Sequence, residues 1–179
     1  MSDNITFKKG NLFDSHMQTL TNTVNTVGIM GAGIAKQFKI RFPVMFKDYE
    51  ERCRHNLVKT GMPYLWKPSG SNRAWVLNFP TKQHWRNSSR MEWIKQGLEY
   101  LAEHHQEWGI QSLAIPALGC SLGGLNWEEV KPVMVHYLAQ LPIPVEIYEP
   151  LPEADERTKP KRTKPPKPRL IAQMTLPLG

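Results

Sequence analysis

The chain reads as one layered α/β domain built round a mixed sheet. Three observations predict it. Short β-branched or apolar runs alternate with amphipathic helical stretches along residues 1–149 of the 179. Two of those runs, Thr19–Val24 and Leu113–Pro116, pass straight into glycine-rich turns that open helices. Two other runs are joined by the short polar turn Ser69–Asn72, a hairpin that breaks strictly parallel order.

The elements follow in order. Ile5-Thr-Phe7 begins the first strand, and Gly10 with Asn11 marks the turn after it, where a carboxamide can meet an adenine edge. Thr19–Val24 is a buried strand; from Gly31 onward a helix carries Ile34, Phe38 and Phe42 on its apolar side. Pro43 restarts a helical stretch, Val44–Val58, with Met45, Phe46, Tyr49 and Cys53 close to one face. The hairpin pairs Met62–Pro68 with Trp75–Pro80, so Thr81, Lys82, His84 and Trp85 stand in the loop beyond a buried strand, a position that favours functional roles. Asn87, Ser88 or Ser89 can cap the next helix, which spaces Met91, Ile94, Leu98 and Leu101 at three and four. His104 and His105 near its end read as cap residues. After Leu113–Pro116, Asn126 and Glu129 form a capping-box pattern ahead of a helix to Leu141, and Val145–Tyr148 is the last strand.

Both glycine-rich turns have the chemistry of an anion cradle. Glycines let backbone N–H groups approach a ligand with no Cβ in the way, and the first N–H groups of a helix carry partial positive charge. The first turn alone is equally well explained by close packing. With the second, Ala117–Leu125, two such loops stand at the ends of buried strands, and loops of that kind face one crevice in an α/β sheet. A diphosphate is the natural ligand. Lys82 is the lysine placed beside these loops; Lys36, on the first helix, is expected to point away.

Composition narrows the class. With 40% apolar residues the chain can bury a sizeable core. No apolar run approaches membrane-spanning length, and the polar start Met1-Ser-Asp-Asn4 is not a signal peptide, so a soluble cytoplasmic protein without a membrane partner is expected. Cys53 and Cys120 are too few for a disulfide framework and are not spaced for a metal; neither metal nor cofactor is expected. Cys120 sits in the second loop as either a thiol nucleophile or, preferably, a small residue packed beneath it. Residues 1–149 carry 16 Lys+Arg against 13 Asp+Glu, whereas residues 150–179 carry 7 against 3. That Pro/Lys/Arg-rich tail is expected to be a disordered spacer, a weak attractor of nucleic-acid phosphate, or the lead to a docking peptide at Leu170–Leu178.

Four motifs in order carry a family resemblance: Gly10-Asn-Leu12; Val24-Asn25 followed by Met30-Gly31-Ala-Gly33-Ile34-Ala35; Asn78-Phe-Pro-Thr81 with Lys82-Gln-His84-Trp85; and Pro116-Ala-Leu118-Gly119-Cys120-Ser121-Leu122-Gly123-Gly124-Leu-Asn-Trp127. Over residues 1–149 the chain resembles macrodomains. Within them it is most similar to the branch holding terminal ADP-ribose protein glycohydrolases and the DNA ADP-ribosyl glycohydrolases of the DarG antitoxin type. The resemblance implies a three-layer α/β/α fold with a central mixed, largely parallel sheet. It also implies that ADP-ribose binds with adenine near Asn11 and Leu12, diphosphate between Gly28–Ala35 (Gly28, Ile29, Met30, Gly31, Gly33, Ile34, Ala35) and the second loop (Pro116, Leu118–Gly124), and distal ribose near Asn25. Asn22 is a weaker candidate, since its side chain can instead hold the strand end. Two departures stand out. Many macrodomains have Asp where this chain has Asn11, and protein-directed members of the branch pair the lysine with an Asp where this chain has Gly123.

The implied activity is hydrolysis of the N-glycosidic bond between ADP-ribose and thymidine in single-stranded DNA, reversing a DarT-type toxin. Cleavage at an anomeric carbon passes through oxocarbenium-like charge, so Lys82 can act as nucleophile, acid or electrostatic clamp, with Asn25 positioning the ribose. Thr81, His84 and Trp85 are candidate contacts to the base; Trp85 is as well explained as cover for a core edge. Two further readings remain open: an ADP-ribose reader without catalysis, and a hydrolase of protein-linked or O-acyl ADP-ribose.

Overall fold

The computed structural model of the chain describes residues 3–70 and 74–151. Six strands, β1 (Ile5–Lys8), β2 (Thr19–Asn25), β3 (Tyr64–Trp66), β4 (Trp75–Lys82), β5 (Leu113–Pro116) and β6 (Val145–Tyr148), form one sheet in the order β1-β6-β5-β2-β4-β3. Five are parallel; β3 pairs antiparallel with β4 at one edge, so the sheet is mixed and largely parallel.

Period-two alternation along the strands makes the layers. Leu77 and Phe79 of β4, Leu113 and Ile115 of β5, and Val145 and Ile147 of β6 face α3 (Met91–Trp108) and α4 (Trp127–Leu138). Val76, Ala114 and Tyr148 turn the other way, joining Leu20 and Val24 of β2 against α1 (Gly33–Arg41) and α2 (Pro43–Arg54). The result is the expected α/β/α stack. The chain leaves β2 for α1 on one face and β5 for α4 on the other, so neighbouring strands β2 and β5 mark a topological switch point, where open α/β sheets form their crevice.

Some boundaries differ from the sequence expectation. The second helix stops at Arg54, not Val58, because Asn56 turns to φ 55°. None of Asn87, Ser88 and Ser89 caps α3; its N-cap is Arg90, without a side-chain bond, and Ser89 N–H instead donates to Gly123 O at 2.9 Å. Asn126 does cap α4, but through Glu128 N–H at 3.0 Å and not through a Glu129 box, and the helix ends at Leu138, short of Leu141. His104 and His105 bond the α3 carbonyls of Tyr100 and Ala102, each at 2.8 Å. Residues 71–73 of the hairpin turn and 152–179 of the basic tail lie outside the described residues. Among the described residues no helix is long and apolar enough to cross a membrane.

Candidate functional site

A cleft of about 990 Å³ opens at the C-terminal edge of the sheet, and every parallel strand contributes its following loop. Gly10–Phe13 come after β1, Asn25, Ile29 and Gly31–Ala35 at and beyond the end of β2, Lys82 and Trp85 at and beyond the end of β4, Pro116, Ala117 and Gly119–Gly123 at and beyond the end of β5, and Tyr148–Leu151 at and beyond the end of β6.

The first loop is organised by one side chain. Asn25, nearly buried, accepts at Oδ1 from the N–H groups of Val27 (3.1 Å) and Ile29 (3.3 Å) and from the Tyr49 hydroxyl (2.9 Å). Its Nδ2 donates to Ile29 O at 2.7 Å, and Tyr49 also donates to Asn25 O. Burial holds the Tyr49 hydroxyl far above the ordinary phenol range, so it stays a donor. This clamp leaves α1 starting bare: Ala32 has no capping side chain and Gly33 sits at φ 57°, a left-handed value glycine adopts freely. Among the described residues no acceptor takes the N–H groups of Gly33, Ile34 or Ala35. They face the cleft as the helix's positive end.

The second loop is held by main chain. Leu125 N–H donates to Gly119 O at 2.9 Å, Gly124 N–H to Ser121 O at 3.2 Å, and Ser89 N–H fastens the loop through Gly123 O. A methyl group on Gly123 would run into the carbonyl of Gly119 and the hydroxyl of Ser89. No side chain fits there, so backbone geometry keeps this position free of any acidic group. The N–H groups of Ser121, Leu122 and Gly123 have no acceptor among the described residues. Two amide-lined hollows therefore face each other, and Leu122 spans them, its Cδ1 3.2 Å from where a side chain on Gly33 would start.

Lys82 stands between the hollows. The register of β2 on β4 runs Val24 with Pro80 and then Asn25 with Lys82, skipping Thr81. Pro80 has no N–H for the ladder, and the resulting bulge sets Lys82 directly beside Asn25. Sequence reading ended the strand at Pro80; in fact β4 continues to Lys82, which makes this residue better fixed than a loop lysine. Its ammonium donates to Leu122 O, and partial burial lowers its pKa below the ordinary lysine value. Cys120 lies at the wall with its thiol pushed up to about 11 by burial, the condition of an inert thiol and not of a nucleophile.

The structure brings Asn11, Leu12, Asn25, Ile29, Gly31, Gly33, Ile34, Ala35, Thr81, Lys82, Trp85, Pro116, Gly119, Cys120, Ser121, Leu122 and Gly123 into this one cleft. Six expected site residues lie off its wall. Asn22 is fully buried and bonds Asn78 at 3.1 Å; Met30 is buried with its sulfur 3.7 Å from Asn22 Nδ2. Leu118 belongs to the core, Gly28 turns toward Cys53, and Gly124 closes the back of its turn. His84 stacks on Trp85 at 5.3 Å and accepts from Arg86 N–H. Asn11 spends its Oδ1 on capping the short 3-10 turn Leu12–Asp14, leaving its Nδ2 for a ligand. Sequence reading missed Phe13, Thr23 and Tyr148–Leu151. The last four were findable by one rule, since β6 is another parallel strand whose end must face the cleft.

A family model for the Macro domain matches residues 21–134. The chain is a macrodomain. A DNA ADP-ribosyl transferase–DNA ADP-ribosyl glycohydrolase fusion protein of Thermosipho africanus is 42% identical over 84% of this macrodomain chain and 43% of its own length. The DNA ADP-ribosyl glycohydrolase of Thermus aquaticus is 41% identical over 88% of the chain and 46% of its own. The chain thus spans less than half the length of these relatives. The solved macrodomain of Mycobacterium tuberculosis DarG superposes with a TM-score of 0.78 at 41% identity, covering 82% of this chain and 98% of that one. Thermosipho africanus DarTG in complex with ADP-ribose superposes with a TM-score of 0.80 at 44% identity, over 83% of this chain and 42% of that chain.

Proposed function

We propose that this macrodomain is an ADP-ribosyl glycohydrolase that removes ADP-ribose from thymidine in single-stranded DNA, acting in the cytoplasm as the antitoxin to a DarT-type transferase. The observation that carries the reading is the placement of Lys82 beside Asn25, between two loops of unpartnered amides. The names of the relatives that are 41–42% identical support the substrate. In this reading adenine lies by Asn11, Leu12 and Phe13, and the diphosphate is held by the N–H groups of Gly33–Ala35 and Ser121–Gly123. The distal ribose lies at Asn25 and Lys82, with the thymine toward Thr81 and Trp85. Asn25 has one N–H left for the ribose, because its oxygen is committed to the loop. Hydrolysis breaks the bond from the anomeric carbon to the base nitrogen; water supplies the new C–O bond and a proton leaves with the base. Lys82 either attacks that carbon as a free amine before water does, or protonates the departing base as an ammonium.

Replacing Lys82 by Ala lowers release of ADP-ribose from modified DNA by about 10²- to 10⁴-fold while calorimetry finds ADP-ribose still bound. Unchanged turnover removes Lys82 from the chemistry, and a wild type that binds ADP-ribose but releases nothing makes the chain a reader. The pH profile separates the two roles. A nucleophilic amine makes kcat rise with pH toward the lowered pKa of Lys82. An acidic ammonium makes it fall through the same range.

A further inference from the structure

Beyond the cleft, residues 83–90 form a rim whose two ends are fastened to its neighbours. Gln83 O takes the N–H and hydroxyl of Thr26, and Ser89 N–H holds Gly123 O. The rim carries two arginines, Arg86 between these points and Arg90 just after Ser89, each held over an indole: the guanidinium of Arg86 lies 4.5 Å from the Trp85 ring and that of Arg90 lies 5.0 Å from the Trp93 ring. Neither has a carboxylate partner among the described residues, whereas Arg52 and Arg54 on α2 are paired with Asp48 and Glu51. Trp85 is 45% exposed and lines the cleft, so this pair of cation and ring begins where the cleft ends. An arginine resting on an aromatic ring keeps its planar fork of N–H donors free at the edge, suited to phosphate oxygens, while rings and guanidinium planes accept unstacked bases.

We propose that this rim is a track for single-stranded DNA, with Arg86 and Arg90 gripping the phosphates that flank the modified nucleotide. Free guanidinium charge matches the polyanion, and guanidinium planes backed by the partly exposed Trp85 indole favour a strand whose bases are not already stacked in a duplex. The proposal rests on the DNA reading of the cleft but adds residues outside it.

The test uses the full chain, comparing the double variant Arg86→Ala/Arg90→Ala with Lys47→Ala/Arg54→Ala, which removes equal charge from α2. Binding of a fluorescent oligothymidylate is followed by anisotropy across a salt series, with thermal melting as the check on folding. Two lost phosphate contacts lower the slope of log affinity against log salt by about 1.4 for a single strand, and weaken binding roughly tenfold at low salt. The α2 variant changes little, and calorimetric binding of ADP-ribose is unchanged in both. In turnover, the rim variant loses kcat/KM on ADP-ribosylated oligonucleotide yet cleaves ADP-ribosyl thymidine nucleoside like the wild type. Equal slopes for the rim and α2 variants, or an equal loss of duplex binding, overturn the track. If the wild type cleaves neither conjugate the DNA reading of the cleft fails by itself, and the anisotropy series still decides the rim.

Discussion

The two glycine-rich loops present the same surface to the cleft and are built in opposite ways. Ile29 and its neighbours hang from a side chain: Asn25 makes four hydrogen bonds and is braced by Tyr49 from α2. Gly119–Gly124 hang from backbone bonds and from contacts so close that no Cβ fits at Gly123. Unpartnered N–H groups can therefore be aimed at a ligand either by a buried carboxamide or by steric exclusion. The first device concentrates sensitivity in polar side chains, the second in glycine.

Substitutions that probe this contrast rank in a definite order. Gly123→Ala has the largest effect: an inserted methyl group meets backbone oxygen, which cannot rotate away, so thermal melting finds a loss of about 2–3 kcal/mol, and calorimetry finds ADP-ribose binding abolished. Asn25→Ala follows at about 2 kcal/mol, since Val27 N–H and both Ile29 main-chain groups lose their partner while the Tyr49 hydroxyl keeps only the carbonyl of residue 25, with ADP-ribose affinity falling too. Tyr49→Phe removes one donor and one brace, costing about 1 kcal/mol with the first loop still in place. Gly31→Ala is the smallest. The nearest atom to an added Cβ there is Ile29 Cγ2 at 3.7 Å, an ordinary contact, so stability stays within about 0.5 kcal/mol. Should Gly31→Ala prove as damaging as Gly123→Ala, the first loop is not side-chain built and the contrast is broken.

Much of this architecture was legible beforehand because it rests on local periodicity and turn chemistry. The apolar faces of Phe38, Met45, Tyr49, Ile94, Leu98 and Leu101 are buried as their spacing predicts. Glycines after β2 and β5 announced both hollows for the same reason: the conformations they permit are a property of the residue itself. The placement of Asn22 and Met30 beneath the cleft was not legible, because a polar or flexible residue beside a ligand loop looks the same in sequence whether it faces the ligand or plugs the layer beneath. Gly28, Leu118 and Gly124 lie off the wall for tertiary reasons of the same kind: Gly28 turns toward Cys53, Leu118 packs into the core, and Gly124 bonds back to Ser121.

By itself, then, the order of residues determined the alternation of strands and helices, the two amide cradles and the singling out of Lys82, all of which follow from neighbours a few positions apart. Tertiary structure alone decided that β6 joins β1 and closes the cleft with Tyr148–Leu151, that Ser89 seals Gly123 against any side chain, and that the bulge at Thr81 delivers Lys82 to Asn25. Those are relations between segments distant along the chain, set by strand register and close packing, and no local pattern encodes them.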